Sequence, residues 1–381
     1  MGNFLSQSDS NTNNLEKKQK SNIIDINKGL EMIEIIPEQL SLYLNMIGGH
    51  SFFVEYAKKY LIKSVGKKEL KFYEFIRTNN IDSKHLPKFF GLIEKNTKYY
   101  EYIINYKKKC DLFFRNMVKY FNIKLEDIDI ENESAFHKKF NDFIDEKNSE
   151  NNNSFTSDKS FEFLKEELIK IKNNCQKKLF WIFFWYIKWQ KEFISDKYII
   201  IENLEFHTKF PSVIDIKIGN EKKISKETGK VKIFKGTYES LGCRIMGISS
   251  NNLYFKSRYE TKELDEKQFI NELLIFFGNK KNIIISVINE LQEIIKFVQD
   301  YFCLKIYFCS LLIFYDNSEN DNDNQAIVKL IDFDLTNNVK EWKNELCFIN
   351  KKKGKIIKNL ENEGFVNCMN NLINTLIKIN N

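Results

Sequence analysis

Apolar and polar residues alternate in four short stretches of the first 110 residues, and alternation with a period of two predicts β-strands. The predicted strands cover residues 40–44, 52–56, 60–63 and 98–106. Between the third and the fourth, residues 67–76 follow the helical period and place Leu70 and Tyr73 on one apolar face. The beginning of the chain is therefore predicted to combine short strands with one amphipathic helix.

Longer patterns follow in the rest of the chain. Residues 107–190 are helical in pattern and are interrupted at 142–159, where Asn, Ser, Asp and Glu dominate, so a helical insertion with a disordered loop is predicted. Further strands are predicted at residues 197–204, 211–219, 240–248, 304–315 and 327–334, and long helices at 282–298 and 363–379. This mixture predicts an α+β fold.

Composition narrows the class of protein. The 381 residues exceed one average domain, and 43% hydrophobic with 14% aromatic residues suffice for a packed core, so two lobes around a cleft are expected. The seven cysteines are scattered, and no cleavable signal peptide is evident, which predicts a reducing cytoplasmic or nuclear setting. The four histidines lack zinc-site spacing. The most apolar run, residues 179–187, is too short to span a membrane and predicts a buried helix.

The first residues, Met1-Gly2-Asn3-Phe4-Leu5-Ser6, fit the pattern for myristoylation of Gly2, with an ordinary disordered terminus as the alternative. A single myristoyl chain binds membranes weakly and reversibly, so membrane association would be partial. Residues 1–28 are rich in Ser, Asn, Gln and Lys and are predicted to form a disordered tether. The chain is expected to be monomeric.

The net charge of +7 has a local component, because six lysines lie within residues 222–235. A solvated loop is the ordinary interpretation of such a cluster, whereas a polyphosphorylated substrate would need it. Lys223, Lys226 and Lys230 are the candidate substrate ligands in this segment. The cluster lacks interleaved aromatic residues, so a nucleic-acid partner is not expected.

The stretch Pro211–Gly219 contains the clearest candidate chemistry. On a strand, residues i and i+2 face the same side, so Asp215 and Lys217 project together while the isoleucines between and beside them face the other way. A surface ion pair is the ordinary interpretation of an Asp-x-Lys sequence. A paired acid and base on the edge of an active site is the functional alternative.

Three other segments offer parts of a nucleotide site. Lys63 ends a predicted strand, and Glu69 on the following helix can pair with it, as strand lysines and helix glutamates do in kinases. The polar residues after the strand at 197–201 suit a hinge whose backbone bonds adenine. Asp332 emerges at the end of a predicted strand, where a carboxylate can hold Mg²⁺ or, alternatively, begin a turn.

Taken in order, these segments resemble the inositol polyphosphate kinase family. Its pattern Pro-x-x-x-Asp-x-Lys-x-Gly is matched at all four fixed positions by Pro211–Gly219. The other segments that follow the family order are Gly48-Gly-His50-Ser, Lys63, Glu69–Glu74, Pro87–Gly91, Glu202-Asn-Leu204, Ser240–Gly247, Ser310-Leu-Leu, Ile331-Asp332-Phe333 and Gly364-Phe-Val. Their versions look most like those of inositol hexakisphosphate kinases.

The resemblance implies a two-lobed fold distantly like protein kinases, with an N-lobe at 29–203 that includes the insertion and a C-lobe at 204–381. It implies ATP and Mg²⁺ as cofactors and an inositol polyphosphate as substrate. The implied ATP ligands are Lys63, positioned by Glu69, the backbone of Glu202 and Leu204, and Asp215 at the ribose. The remaining implied roles are contact of Lys217 with the substrate and the transferring phosphoryl group, and metal binding by Asp332 and Ser310.

The implied reaction is ATP-dependent phosphorylation of inositol hexakisphosphate to a diphosphoinositol. A multikinase acting on less phosphorylated inositols is the nearest alternative, and a non-catalytic inositol phosphate-binding scaffold is another. The chain departs from the family at Cys309, where serine is usual, at Asp334-Leu-Thr after the Asp-Phe pair, and in a shorter loop after Gly219. Because that loop helps to choose the substrate, the inositol phosphate itself stays open.

Overall fold

A computed structural model describes a large part of the chain. The described residues are 33–45, 47, 53–78, 81, 84–120, 195–206, 208–219, 236–250, 253–301, 309–318, 325–333 and 363–381, with short pieces at 223–224 and 231–232 and single helical residues at 166, 168, 169, 178, 181 and 182. The chain divides into two units, residues 1–36 and 37–381. Of the first unit, residues 33–36 are described and lie outside helices and strands. All elements below belong to the second.

The first sheet has five antiparallel strands in the order β1-β2-β3-β5-β4. They are β1 Leu40–Leu42, β2 Phe53–Tyr56, β3 Tyr60–Ser64, β4 Phe89–Glu94 and β5 Lys197–Glu202. Helix α1, Lys67–Thr78, follows β3 and buries Leu70, Phe72 and Tyr73. The predicted strands at 40–44, 52–56, 60–63 and 197–204 and the helix at 67–76 are confirmed.

The strand predicted at residues 98–106 is wrong, because helix α2 spans Lys98–Tyr120. The Thr97 hydroxyl accepts a hydrogen bond from the Tyr100 amide at 3.2 Å, which satisfies a free donor of the first helical turn. Tyr100, Ile103 and Cys110 are buried at a helical spacing. The tyrosines of this segment favour strands by propensity, but burial of one helical face overrides that preference.

The second sheet has five antiparallel strands in the order β10-β9-β6-β11-β12. They are β6 Pro211–Ile218, β9 Cys243–Ser250, β10 Tyr254–Lys256, β11 Cys309–Asp316 and β12 Ile327–Ile331. A separate hairpin pairs β7, Lys223–Ile224, with β8, Val231–Lys232. The isoleucines at 214, 216 and 218 are fully buried. The predicted strand at 211–219 is thus the centre of the sheet.

Five helices complete the described fold: α3 Thr237–Ser240, α4 Arg258–Thr261, α5 Glu266–Phe277, α6 Lys281–Tyr301 and α7 Glu363–Asn380. The helices predicted at 282–298 and 363–379 are confirmed, as is the α+β class. Among the elements that were not predicted are β10, α4 and α5, although Asp265 and Gln268 form a capping box that signals the start of α5. Within the described residues, no helix combines the length and apolar character needed to cross a membrane.

Some predictions concern residues outside the described part of the chain. These are the predictions for Gly2, the turn at Gly48–His50, the loop at 142–159 and most of the surrounding insertion, and the lysines at 226 and 230.

Candidate active site

One row of residues crosses four strands of the second sheet and brings polar side chains together. Arg244 of β9 pairs with Lys217 of β6, Lys217 with Ser310 of β11, and Ser310 with Ile331 of β12. Residues directly opposite each other in adjacent strands share a face of the sheet. Asp332 follows this row, and its carboxylate accepts a hydrogen bond from the Lys217 amine at 3.1 Å. A cation and a carboxylate from distant parts of the sequence therefore meet here.

Asp215 lies in the neighbouring row, opposite Gly247 on β9 and in line with Lys329 on β12. Both ends of this row touch the N-terminal half of the chain. A Cβ atom on Gly247 would collide with the Ile47 carbonyl, and the Lys329 amine donates to the Leu86 carbonyl at 3.3 Å. Asp215 is therefore covered from that side and is only 5% exposed.

Burial raises the pKa of the Asp215 carboxyl to about 6. A hydrogen bond with Ser310 and the charges of Lys217 and Arg244 act in the opposite direction, and the charge of Asp332 adds to the rise. The Asp215 Oδ1 atom is buried and finds no hydrogen-bond partner among the described residues. The interpretation of Asp215 and Lys217 as a surface ion pair is thus wrong, because Asp215 is buried and the Lys217 amine bonds Asp332.

The backbone at Asp332 is in the left-handed region, with a φ of 65°. Residues other than glycine seldom adopt this conformation, and it recurs at binding and catalytic sites. The turn directs the Asp332 carboxylate towards Lys217, and 43% of that side chain remains exposed. A carboxylate in this position can still accept a ligand.

A second ion pair comes from the first sheet. The Lys63 amine at the end of β3 bonds the Glu69 carboxylate of α1 at 2.8 Å, and the two side chains are 12% and 3% exposed. The expected pair is therefore formed. A charged hydrogen bond in a buried setting fixes the direction of a long lysine side chain.

Comparison with known proteins shows a family that part of this chain resembles. Residues 198–377 match the family model of inositol polyphosphate kinase, a segment that contains both rows of the second sheet. Over this segment, which is just under half of its length, the chain resembles the inositol polyphosphate kinase family.

Two relatives that this chain matches are inositol hexakisphosphate kinases. Inositol hexakisphosphate kinase 2 of Homo sapiens is 26% identical over 140 residues, which cover 32% of this chain and 32% of that protein. Inositol hexakisphosphate kinase 1 of Rattus norvegicus is 23% identical over 140 residues, with 32% of each chain covered. This chain thus spans about a third of the length of the relatives it matches.

A solved structure, the inositol phosphate multikinase Ipk2 of S. cerevisiae in complex with ADP and Mn²⁺, has a TM-score of 0.35 and 18% sequence identity to this chain. The match covers 48% of this chain and 83% of that one.

The predicted hinge follows β5. The Glu202 carboxylate accepts a hydrogen bond from the Lys88 amide at 3.2 Å and lies 3.6 Å from the Lys329 amine. Asn203 is buried, and its side-chain amide donates to the Lys58 carbonyl at 2.6 Å. Nothing in the described part of the chain accepts a hydrogen bond from the Leu204 amide. The Glu202 and Asn203 amides also donate to the Lys88 and Lys59 carbonyls at 3.0 Å, so the Leu204 amide is the backbone donor of the described hinge that can meet a ligand.

Arg244 was not identified from the sequence as a site residue. Burial lowers its pKa, and its Nε atom is buried with no acceptor among the described residues. The guanidinium carbon lies 5.2 Å from the centre of the Tyr238 ring. The observation that assigns Arg244 to the site is its cross-strand pairing with Lys217. This pairing depends on the register of β9 on β6, which the sequence alone does not give.

Not every candidate residue is brought to the site by the described structure. Lys223 lies on the short strand β7, and β7 pairs with β8 rather than with the second sheet. Lys226 and Lys230 lie between these strands, outside the described residues. Contact between the lysine cluster and the substrate therefore stays a prediction.

Proposed function

We propose that the protein is a kinase that transfers the γ-phosphoryl group of ATP to inositol hexakisphosphate and forms a diphosphoinositol. The observation that supports this function most is the row in which Arg244, Lys217 and Ser310 lead to Asp332, with buried Asp215 beside it. Cations for phosphate groups and carboxylates for a nucleotide and a divalent metal then share one face. A multikinase reaction on tris-, tetrakis- or pentakisphosphates is the nearest alternative.

In this proposal ATP lies between the two sheets. The Lys63 amine contacts its phosphates, and Glu69 holds that amine in place. The adenine edge bonds the backbone of Glu202 and Leu204. The ribose hydroxyls donate to Asp215, whose Oδ1 lacks a partner among the described residues.

The first and second sheets are the centres of the proposed lobes, at residues 29–203 and 204–381.

The residues at the end of β12 fit a Mg²⁺ ion that is shared with nucleotide phosphates. Such ions use one or two protein carboxylates and take their other ligands from phosphate and water. Asp332 and the Ser310 hydroxyl would hold it. Within the described residues, no group of three or more His, Cys, Asp or Glu could hold a metal unaided, which is consistent with a shared ion. When bound, the ion neutralises charge on the phosphates.

The proposed transfer is an in-line displacement. An oxygen of the acceptor forms a bond to the γ-phosphorus while the bond from that phosphorus to the bridging oxygen breaks, and ADP leaves with the electron pair. With inositol hexakisphosphate, the attacking oxygen belongs to an ionised phosphate group, so no hydroxyl proton has to be removed. The main work of the protein is then alignment and charge neutralisation.

Two polyanions meet in this reaction, so the approach must be screened by cations. Lys217 would contact the acceptor and the phosphoryl group in transit, and Arg244 in the same row would contact the acceptor. Lys223, Lys226 and Lys230 would bind the outer phosphates of the acceptor. The same cations would serve the multikinase alternative, so charge alone does not choose between the two substrates.

The test is to incubate purified full-length protein with ATP and Mg²⁺ and with each inositol phosphate separately, and to separate the products by chromatography. The proposal expects a product more anionic than inositol hexakisphosphate and one ADP per product. Product from tris- or tetrakisphosphates alone would instead identify a multikinase. Binding of an inositol phosphate with no consumption of ATP would identify a scaffold.

Three expectations about the protein in the cell stay predictions from sequence: a cytoplasmic or nuclear location, a monomeric state and partial membrane association through myristoylated Gly2. Mass measurement of the N-terminal peptide from native cells tests the last of these. An unmodified Gly2 would reject the prediction of membrane association through myristoylation.

A further inference from the structure

An aromatic stack joins helix α1 to the end of strand β12. The Phe333 ring lies parallel to the Phe72 ring, with centroids 3.7 Å apart and planes at 14°, and Tyr73 meets Phe333 edge-on at 6.2 Å. Phe72 and Phe333 are fully buried, and Tyr73 is 2% exposed. Rings packed so closely determine one another's positions, because a shift of one opens a gap or a clash at the next.

At each end of the stack, a charged residue of the proposed site lies close in sequence to one of the rings. Glu69 lies three residues before Phe72 on α1, so the two share a helical face, and Glu69 bonds the Lys63 amine at 2.8 Å. Asp332 immediately precedes Phe333 in the chain. The stack therefore lies between the proposed phosphate ligand of the first sheet and the proposed metal ligand of the second.

Tyr73 gives independent support for this proximity. Burial raises its pKa most, and the negative charges of Glu69 and Asp332 both raise it further. The Tyr73 side chain is thus close enough to both carboxylates to be affected by each of them. It also stacks on Phe89 of β4, with ring centres 5.4 Å apart.

The left-handed backbone at Asp332 explains why a ring next to it matters. With a φ of 65°, consecutive side chains at 332 and 333 diverge, the carboxylate towards Lys217 and the ring towards α1. A conformation that is intrinsically unfavourable persists only where the surrounding packing determines it. Packing of Phe333 against Phe72 can supply the constraint that keeps Asp332 in the left-handed conformation.

We propose that Phe333 and Phe72 are positioning residues that keep Asp332 at a fixed distance from the Lys63–Glu69 pair, so that a metal–nucleotide complex is bound by both sheets together. This inference rests on the proposed function of the site. Neither ring touches the reacting atoms. The two rings set the distance between residues that do.

A double-mutant cycle tests this role. The proteins are the wild type, Phe72→Leu, Phe333→Leu and the double variant, with Phe276→Leu as a matched control. Phe276 is 1% exposed and packs edge-on against Phe277 in the core, with ring centres 4.9 Å apart. Affinity for ADP with Mn²⁺ is measured by calorimetry without any inositol phosphate, and stability is measured by urea unfolding.

Each single variant of the stack should weaken binding of ADP with Mn²⁺ about three- to tenfold, the range expected for one aromatic pair. The double variant should bind no more weakly than the weaker single variant, because the two rings act through one contact. The control should lose comparable stability and keep wild-type affinity. If the leucine variants do not fold, Phe72→Met and Phe333→Met keep more of the side-chain volume and take their place.

Two outcomes separate this inference from the proposed function. A wild-type protein that binds no ADP with Mn²⁺ would reject the nucleotide site itself. Wild-type binding that stays within twofold in folded Phe333 variants, or losses that add in the double variant, would reject the positioning role and leave the proposed function intact.

Discussion

Replacement of Asp215 by Asn should stabilise the unliganded protein while it removes activity. Asp215 is 5% exposed, and its Oδ1 has no hydrogen-bond partner among the described residues. Burial raises its pKa to about 6 from an ordinary value of 3.8. At neutral pH the fold therefore contains a poorly solvated charge. Asn keeps the shape of the side chain and removes that charge, and it replaces one of the two acceptor oxygens by an NH2 donor, so that Ser310 and the proposed ribose contact no longer each have an acceptor.

The two pKa values give the magnitude. One pKa unit corresponds to about 1.36 kcal/mol, so the rise from 3.8 to about 6 destabilises the folded protein at pH 8 by about 3 kcal/mol relative to a neutral side chain. Below pH 3.8 Asp215 is protonated in both the folded and the unfolded protein, so this cost is absent. Because the folded-state pKa is raised, the cost grows as the pH rises from 3.8 and is complete above 6. At pH 5 the same relation gives a cost of about 1.5 kcal/mol. The Asn amide is itself imperfectly paired, which reduces the net gain at pH 8 to about 1–2 kcal/mol.

The assay is urea unfolding of the wild type and Asp215→Asn at pH 5 and pH 8. Glu239→Gln, at an exposed carboxylate, is the control and should change stability by no more than about 0.5 kcal/mol. The advantage of Asp215→Asn should grow by about 1.5 kcal/mol between the two pH values. A variant that is less stable than the wild type at pH 8, or an advantage independent of pH, would refute the reasoning.

Three further substitutions test other parts of the site. Glu69→Gln removes the charged partner of the strand lysine, and KM for ATP should rise about tenfold with a smaller change in kcat; an unaltered KM in steady-state kinetics would contradict the pairing role. Gly247→Ala drives a methyl group against the Ile47 carbonyl and should lower the free energy of unfolding by about 2 kcal/mol, as measured by urea unfolding; an unchanged free energy of unfolding would argue against the close approach. Arg244→Ala should raise KM for the inositol phosphate about tenfold and leave KM for ATP within twofold; equal effects on both would place the arginine elsewhere.

The centre of the site was predictable because its signals are local. Asp215 and Lys217 lie two residues apart on one strand, and their shared face follows from strand geometry alone. The pair of Lys63 and Glu69 joins a strand end to the next helix, six residues away. In both cases the residues that meet are close in the chain, so periodicity suffices.

Contacts between distant strands could not be predicted in the same way. Arg244 and Lys217 become neighbours through the register of β9 on β6, and that register includes an irregularity after Asp215 that no pattern indicated. The cover over Asp215, formed at Gly247 and Lys329, joins segments far apart in the chain. The wrong strand prediction at residues 98–106 has another cause, because local alternation favours a strand there, whereas burial of one helical face decides the structure.

The central proposal is that this protein transfers a phosphoryl group from ATP to an inositol polyphosphate and that Lys217 contacts the group in transit. The most direct measurement is the product chromatogram of wild type and Lys217→Ala with ATP, Mg²⁺ and inositol hexakisphosphate, with folding of the variant checked by urea unfolding. The wild type should form a diphosphoinositol and ADP in equal amounts, and the folded variant should be slower by about a thousandfold. Near-normal turnover by the variant, or no product from any inositol phosphate with the wild type, would contradict the account.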